Sequence, residues 1–147
     1  SKAAAPNMVK RGFGKIISVS TSAGNMVRAG NPIYGPAKAA LEAMTRVWAQ
    51  ELKGTGVDAN IILPGGASDT SFIRQDVVPG AVGERAGAGR LLPGDVIVPP
   101  AVWLCTDATN GVTGVRAVGR NWDRTAPTAD EAFRKCLDPH VEVPQIM

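Results

Sequence analysis

Two short runs of β-branched and apolar residues, Lys15-Ile16-Ile17-Ser18-Val19-Ser20 and Val57-Asp58-Ala59-Asn60-Ile61-Ile62-Leu63, bracket one long helical pattern. Nothing else in the chain constrains its fold as much. The first run is nearly continuous in apolar character, as expected of a strand covered on both faces in a parallel sheet; the second is a further strand, closed by Pro64. Between them, from Pro32 or Tyr34 to Lys53, the residues Ala37, Leu41, Met44, Trp48 and Leu52 recur at three- and four-residue steps. That spacing predicts an apolar stripe along one helix face. Pro36 falls in the first turn, where its missing N–H is harmless, and Gly54 and Gly56 end the pattern.

The flanks extend the alternation. Lys2 to Arg11 reads as the end of a helix stopped at Gly12 and Gly14, and Ala23 to Pro32 as a loop. Ser68 to Val98 is a long stretch with five glycines and little pattern, a length that usually marks a functional or mobile segment. Pro99-Pro100-Ala101-Val102-Trp103-Leu104-Cys105 opens a helix, and Val115-Arg116-Ala117-Val118 is a short strand. Thr128-Ala129-Asp130-Glu131 has capping-box spacing and predicts a short helix through Leu137. Strand, helix, strand, loop, helix, strand is the order of an α/β protein with a parallel sheet. Sites in such sheets assemble at the carboxyl ends of the strands. Thr21 and Pro64 both fall at those ends, and Tyr34 starts the helix between them.

Composition narrows the function classes. A chain of 147 residues suits one domain. The net charge of +3 is mild, and its basic residues are scattered apart from Lys10, Arg11 and Lys15, which argues against a nucleic-acid stripe. Cys105 and Cys136 form no CxxC pair and His140 is solitary. Metal binding is therefore not expected, and two free thiols in a reducing compartment are. No apolar run approaches the roughly 18 residues of a membrane span. Ser1-Lys2-Ala3-Ala4-Ala5-Pro6 lacks the apolar core of a signal peptide, so a cytoplasmic protein is expected.

Chemistry concentrates at Tyr34 and Lys38, which lie one helical turn apart on one face. A phenol ordinarily loses its proton near pH 10, about three units above neutrality. A neighbouring ammonium favours the phenolate. Such a pair exchanges a proton with an alcohol or carbonyl when a hydride acceptor sits alongside. The hydroxyl cluster Ser20-Thr21-Ser22 precedes it and Pro64-Gly65-Gly66 follows it, each at a strand end.

Tyr34-Gly35-Pro36-Ala37-Lys38, set between those two strand ends, resembles the catalytic half of a short-chain dehydrogenase/reductase, and the resemblance runs from about Met8 to Asp123. It implies a Rossmann-like three-layer α/β sandwich with a parallel sheet, of which this chain carries the second half. It also implies an NAD(P)-dependent oxidoreductase that interconverts a secondary alcohol and a carbonyl compound. Tyr34 corresponds to the family's proton-exchanging tyrosine, and Lys38 to the lysine that also holds the nicotinamide ribose. The family's Ser-Ser-x-Ala-Gly aligns on Ser20-Thr21-Ser22-Ala23-Gly24, which puts Thr21, thirteen residues before Tyr34, in place of the substrate-binding serine. Thr21 keeps the hydroxyl but is stiffer at χ1. Ser20 or Ser22 takes the role if the local register differs.

Pro64, Gly65 and Gly66 resemble the cofactor-side turn. Thr70, one residue later than the family pattern, corresponds to its supporting hydroxyl, with Ser68 behind it. Residues 68–98 correspond to the substrate loop, where Phe72, Ile73, Val77 and Val78 either line an apolar pocket or pack the loop. Residues 125–147 form a tail. The Gly-rich pyrophosphate turn, the active-site asparagine and the residue that selects NAD or NADP have no counterpart in the chain. By the same resemblance a homodimer or homotetramer is expected, with Ala40, Met44 and Trp48 of the long helix facing a partner. The competing expectation is an incomplete, inactive homologue acting as an assembly module.

Overall fold

A computed structural model of the chain describes residues 3–69 and 91–138. Helix α1 (Ala5–Arg11) is capped by Gly12 in the left-handed conformation and leads into strand β1 (Gly14–Val19). A four-residue helix, α2 (Ala23–Met26), precedes the long α3 (Tyr34–Glu51). Strand β2 (Val57–Leu63), helix α4 (Val98–Leu104), strand β3 (Arg116–Val118) and helix α5 (Ala129–Arg134) complete the order. The three strands are parallel and lie side by side as β1-β2-β3.

Every residue of β2 is buried, as in a central parallel strand, and its two polar members are paired: Asp58 with Lys15, and Asn60 with the Val112 carbonyl and the Val115 N–H. The register pairs Ser18 with Ile61 and Ile61 with Arg116, so these three residues share one sheet face. That face meets α3: the Thr45 hydroxyl donates to Ser18 Oγ at 2.8 Å, and Arg116 reaches Glu42. Ala117 turns the other way, into a cluster with Leu104 of α4, Phe133 of α5 and Cys136, against which Ile17 also packs. Helix, sheet and helices thus form three layers, and the chain has a Rossmann-like α/β fold.

The long helix differs from its predicted stripe. Its buried residues are Gly35, Glu42, Thr45 and Ala49. Ala37 and Met44 are exposed, and Leu41, Trp48 and Leu52 only half-buried. The reason is what lies beneath: Ser18 and Arg116 present polar groups, and α3 answers with a polar inner face. Helix α2 lies in a stretch expected to be loop. Thr128 caps α5 as its spacing predicts, its Oγ1 accepting from the Glu131 N–H at 3.3 Å. Helix α5 ends at Arg134, short of the predicted Leu137, because Leu137 instead bridges Ala117 in antiparallel fashion. Both cysteines are free, Cys105 exposed and Cys136 buried. No described helix is long and apolar enough to cross a membrane. The described residues contain no group of three or more His, Cys, Asp or Glu that would hold a metal ion.

Candidate active site

The carboxyl ends of β1 and β2 are adjacent. Past the last strand residue, the Ser20 N–H still donates to the Ile62 carbonyl at 2.8 Å, so the hydroxyl cluster and the Pro64-Gly65-Gly66 turn leave the same sheet edge. Tyr34 begins α3 at this edge. Gly35 is required beside it, because a Cβ there would strike the Met26 carbonyl of α2. That close approach lets α2, which carries the segment after Thr21, pack on the first turn of α3.

Tyr34 and Lys38 come together as their spacing predicts. The Lys38 ammonium stands 5.8 Å from the centre of the Tyr34 ring and donates to the Val19 carbonyl at 2.8 Å. This bond draws the end of β1 to the face of α3 that carries Tyr34. Tyr34 is 37% exposed, open enough to meet a ligand.

The three hydroxyls of the cluster part ways. Ser22 is exposed, at the N-terminus of α2, with no side-chain capping bond. Ser20 is buried, and its hydroxyl has no hydrogen-bond partner among the described residues. Thr21, 8% exposed, receives a hydrogen bond from the Asn25 amide on Oγ1 at 3.1 Å and one from Arg116 Nη2 on its carbonyl at 2.8 Å. Neither Asn25 nor Arg116 was singled out by sequence reasoning. Asn25 sits four residues after Thr21, a local spacing that was available as a signal; Arg116 lies 95 residues away and gave none.

Arg116 anchors a buried charge cluster. Its Nε donates to both Glu42 carboxylate oxygens at 3.1 and 3.2 Å, and its Nη1 pairs with Asp138. Arg46, one turn further along α3, approaches Glu42 at 3.7 Å. Two cations therefore face two carboxylates, which is how buried charge is tolerated.

At the carboxyl end of β2, the turn is held by the Arg120 N–H donating to the Pro64 carbonyl at 3.0 Å. Gly65 has φ +88°, and a Cβ there would collide with Val118 and the Arg120 side chain, so only glycine makes this turn. Ser68 Oγ, just beyond, is buried with no hydrogen-bond partner among the described residues. Its segment is pinned to the far end of residues 68–98, since Asp69 N–H donates to Leu92 O and Leu92 N–H to Ala67 O, each at 2.8 Å. Thr70, Phe72, Ile73, Val77, Val78 and His140 lie outside the described residues. A multi-donor ammonium, a glycine turn and an orphaned hydroxyl fit the nicotinamide end of a dinucleotide.

Comparison with known proteins bears on the family and the fold. A family model described as enoyl-(acyl carrier protein) reductase matches residues 1–118. The chain is 35% identical over 117 residues to 2,5-dichloro-2,5-cyclohexadiene-1,4-diol dehydrogenase of Sphingobium indicum, covering 78% of this chain and 46% of that protein. It is 31% identical over 121 residues to the 3-oxoacyl-[acyl-carrier-protein] reductase of Salmonella typhimurium, covering 78% and 47%. It spans just under half the length of these relatives. Among solved structures, a gluconate 5-dehydrogenase from Burkholderia cenocepacia in complex with NADP and tartrate superposes with a TM-score of 0.67 at 27% identity, over 80% of this chain and 48% of that one. With the fold, the strand-end hydroxyls and the tyrosine–lysine turn on one sheet edge, the chain belongs to the short-chain dehydrogenase/reductase family.

Proposed function

We propose that this protein is an NAD(P)-dependent oxidoreductase that interconverts a secondary alcohol and a carbonyl compound, with Tyr34 as acid/base. The observation that carries it is the placement of the Lys38 ammonium against the Tyr34 ring and the end of β1. A bound nicotinamide would supply the hydride chemistry, taking or giving the hydride as the alcohol is oxidised or the carbonyl reduced. The Tyr34 hydroxyl gives its proton to the carbonyl oxygen in reduction and takes it back in oxidation. A cation this close stabilises negative charge that develops on the phenol oxygen during the transfer. An ammonium has three donors; beside the bond to Val19, Lys38 keeps donors for the ribose hydroxyls. Thr21 supplies a hydrogen bond to the substrate oxygen. Pro64, Gly65 and Gly66 would hold the nicotinamide end, with Thr70 as the supporting hydroxyl and residues 68–98 as the substrate loop.

The substrate is a small alcohol or carbonyl compound, and the compartment is the cytoplasm. The assembly we propose is a homodimer or homotetramer through the outer face of α3, where Met44 and Val47 are about half exposed. The same face supports the second reading, an inactive homologue acting as an assembly module. Lys38→Met separates the two. The oxidoreductase reading predicts that this variant both slows turnover and weakens nicotinamide binding, because one ammonium serves both. Wild-type turnover and wild-type dinucleotide affinity in the variant would reject it.

A further inference from the structure

We infer that Arg116 and Asn25 are positioning residues that set Thr21 against the Tyr34 face of α3, Arg116 through the main chain and Asn25 through the hydroxyl. The inference rests on the reading of Thr21 as the substrate-facing hydroxyl.

The geometry of α3 comes first. Tyr34, Lys38 and Glu42 follow one another at four-residue steps, so they stand on one helix face. Two of the three reach back to the end of β1. Lys38 holds the Val19 carbonyl, and Glu42 holds Arg116, whose Nη2 holds the Thr21 carbonyl. Thr21 is thus tied to the helix that carries the phenol by a path of two hydrogen bonds, both buried.

The choice of acceptor matters. Glu42 and Asp138 already neutralise the guanidinium, with Arg46 sharing Glu42. Charge balance therefore gives no reason for Arg116 to seek a neutral carbonyl as well. What the third contact adds is position: a planar guanidinium fixed at Nε and Nη1 has no freedom left at Nη2. In a site where the side chain is 7% exposed, such a bond is stiff and poorly replaced by water.

Asn25 completes the setting. A threonine hydroxyl has one donor and two acceptor positions. The Asn25 amide donates to Oγ1, which occupies an acceptor position and leaves the O–H to donate elsewhere. The main-chain carbonyl of Asn25 accepts from the Asn31 side-chain amide at 3.5 Å, in the loop that leads to Tyr34. A hydroxyl that must donate to a substrate oxygen is in this way kept in its donor orientation.

The test uses the purified protein with Arg116→Lys, Asn25→Ala and Asn25→Asp. Arg116→Lys keeps the charge and loses the fork. Its first readout is amide hydrogen exchange. Exchange at the Asn25 and Met26 amides, both bonded to the Ser22 carbonyl, should rise about tenfold while Ile61 and Ile62 in β2 keep their wild-type rates. Unchanged exchange at Asn25 and Met26, or an equal rise in β2, would overturn the positioning role. The second readout is turnover. Arg116→Lys and Asn25→Asp should each lower kcat by about tenfold or more with KM within about twofold. Asn25→Asp should exceed Asn25→Ala, because an ionised carboxylate takes the Thr21 proton for itself. Wild-type kcat in all three variants would overturn the inference. Thr21→Ala separates it from the reading beneath it: retained turnover there removes Thr21 as the reactive hydroxyl, and the exchange result alone then decides the part played by Arg116.

Discussion

Among the described residues, the sheet carries two buried cation clusters, and they are built for different ends. On the face toward α4, at the start of the strands, Lys15 pairs with Asp58 at 2.8 Å and donates to the Thr109 carbonyl at 3.0 Å. The Gly111 N–H donates to the same Asp58 carboxylate at 3.1 Å. This cluster ties two neighbouring strands to the loop before β3, and nothing in it reaches the carboxyl ends of the strands. On the α3 face, Arg116 joins α3, the segment after α5 and the main chain of Thr21. A lysine is a point charge that suits one carboxylate and a nearby carbonyl; a guanidinium is a rigid fork that fixes several elements relative to one another. One cluster therefore closes a fold, while the other also holds the main chain beside the candidate site.

Removal of either cation provides the strongest test of that contrast. Lys15→Met and Arg116→Met should each destabilise the protein by about 3–5 kcal/mol, because each leaves buried carboxylate charge uncompensated. Urea unfolding measures this. Among the milder variants the two clusters should part: Lys15→Arg should leave turnover per folded molecule unchanged, and Arg116→Lys should not. Equal effects on turnover would erase the distinction.

Thr21→Ala comes next in size. It should cost about 2–4 kcal/mol of transition-state stabilisation as the loss of one oxyanion-type donor, with Thr21→Ser tolerated. If Ser20→Ala costs that much and Thr21→Ala does not, the buried Ser20 hydroxyl is the substrate contact.

Much of this was open to sequence reasoning. The ends of strand β2 are legible in the sequence because Gly56 and Pro64 bound its seven residues, although Asp58 and Asn60 interrupt their apolar run. The Tyr34–Lys38 turn was legible because its spacing is local. The inner face of α3 was misread for the opposite cause: Glu42 and Thr45 are buried by partners on other strands, and Glu42 meets Arg116 across 74 residues. A polar residue that is buried by a distant charge looks, in sequence, like a solvated one. Helix α2 escaped because four residues that include Gly24 and Asn25 carry no helical pattern.

Cysteine reactivity offers a smaller and more local probe. Burial pushes the Cys136 thiol up to about 11, while Cys105 is exposed. Native protein near pH 8 should therefore label at Cys105 alone, and unfolded protein at both. Cys136 backs β3 directly, since the Val118 N–H donates to its carbonyl at 2.7 Å, and Asp138 N–H donates to Arg116 O at 3.0 Å. Arg116→Lys should accordingly speed Cys136 labelling, and Lys15→Arg should not. Thr128→Ala should have the smallest effect, a loss of about 1 kcal/mol from an uncapped α5, with turnover unchanged because neither cluster touches the cap.

Tyr34→Phe decides whether Tyr34 moves the proton of a nicotinamide-dependent reaction. The phenylalanine ring retains the packing and loses the exchangeable hydrogen. Oxidation of NADH or NADPH by a panel of ketones, followed by absorbance alongside a thermal melt, is the measurement. The account predicts turnover by the wild-type protein and a fall of about 10²- to 10⁴-fold in the variant at an unchanged melting temperature. Wild-type rates in the Tyr34→Phe protein would contradict it.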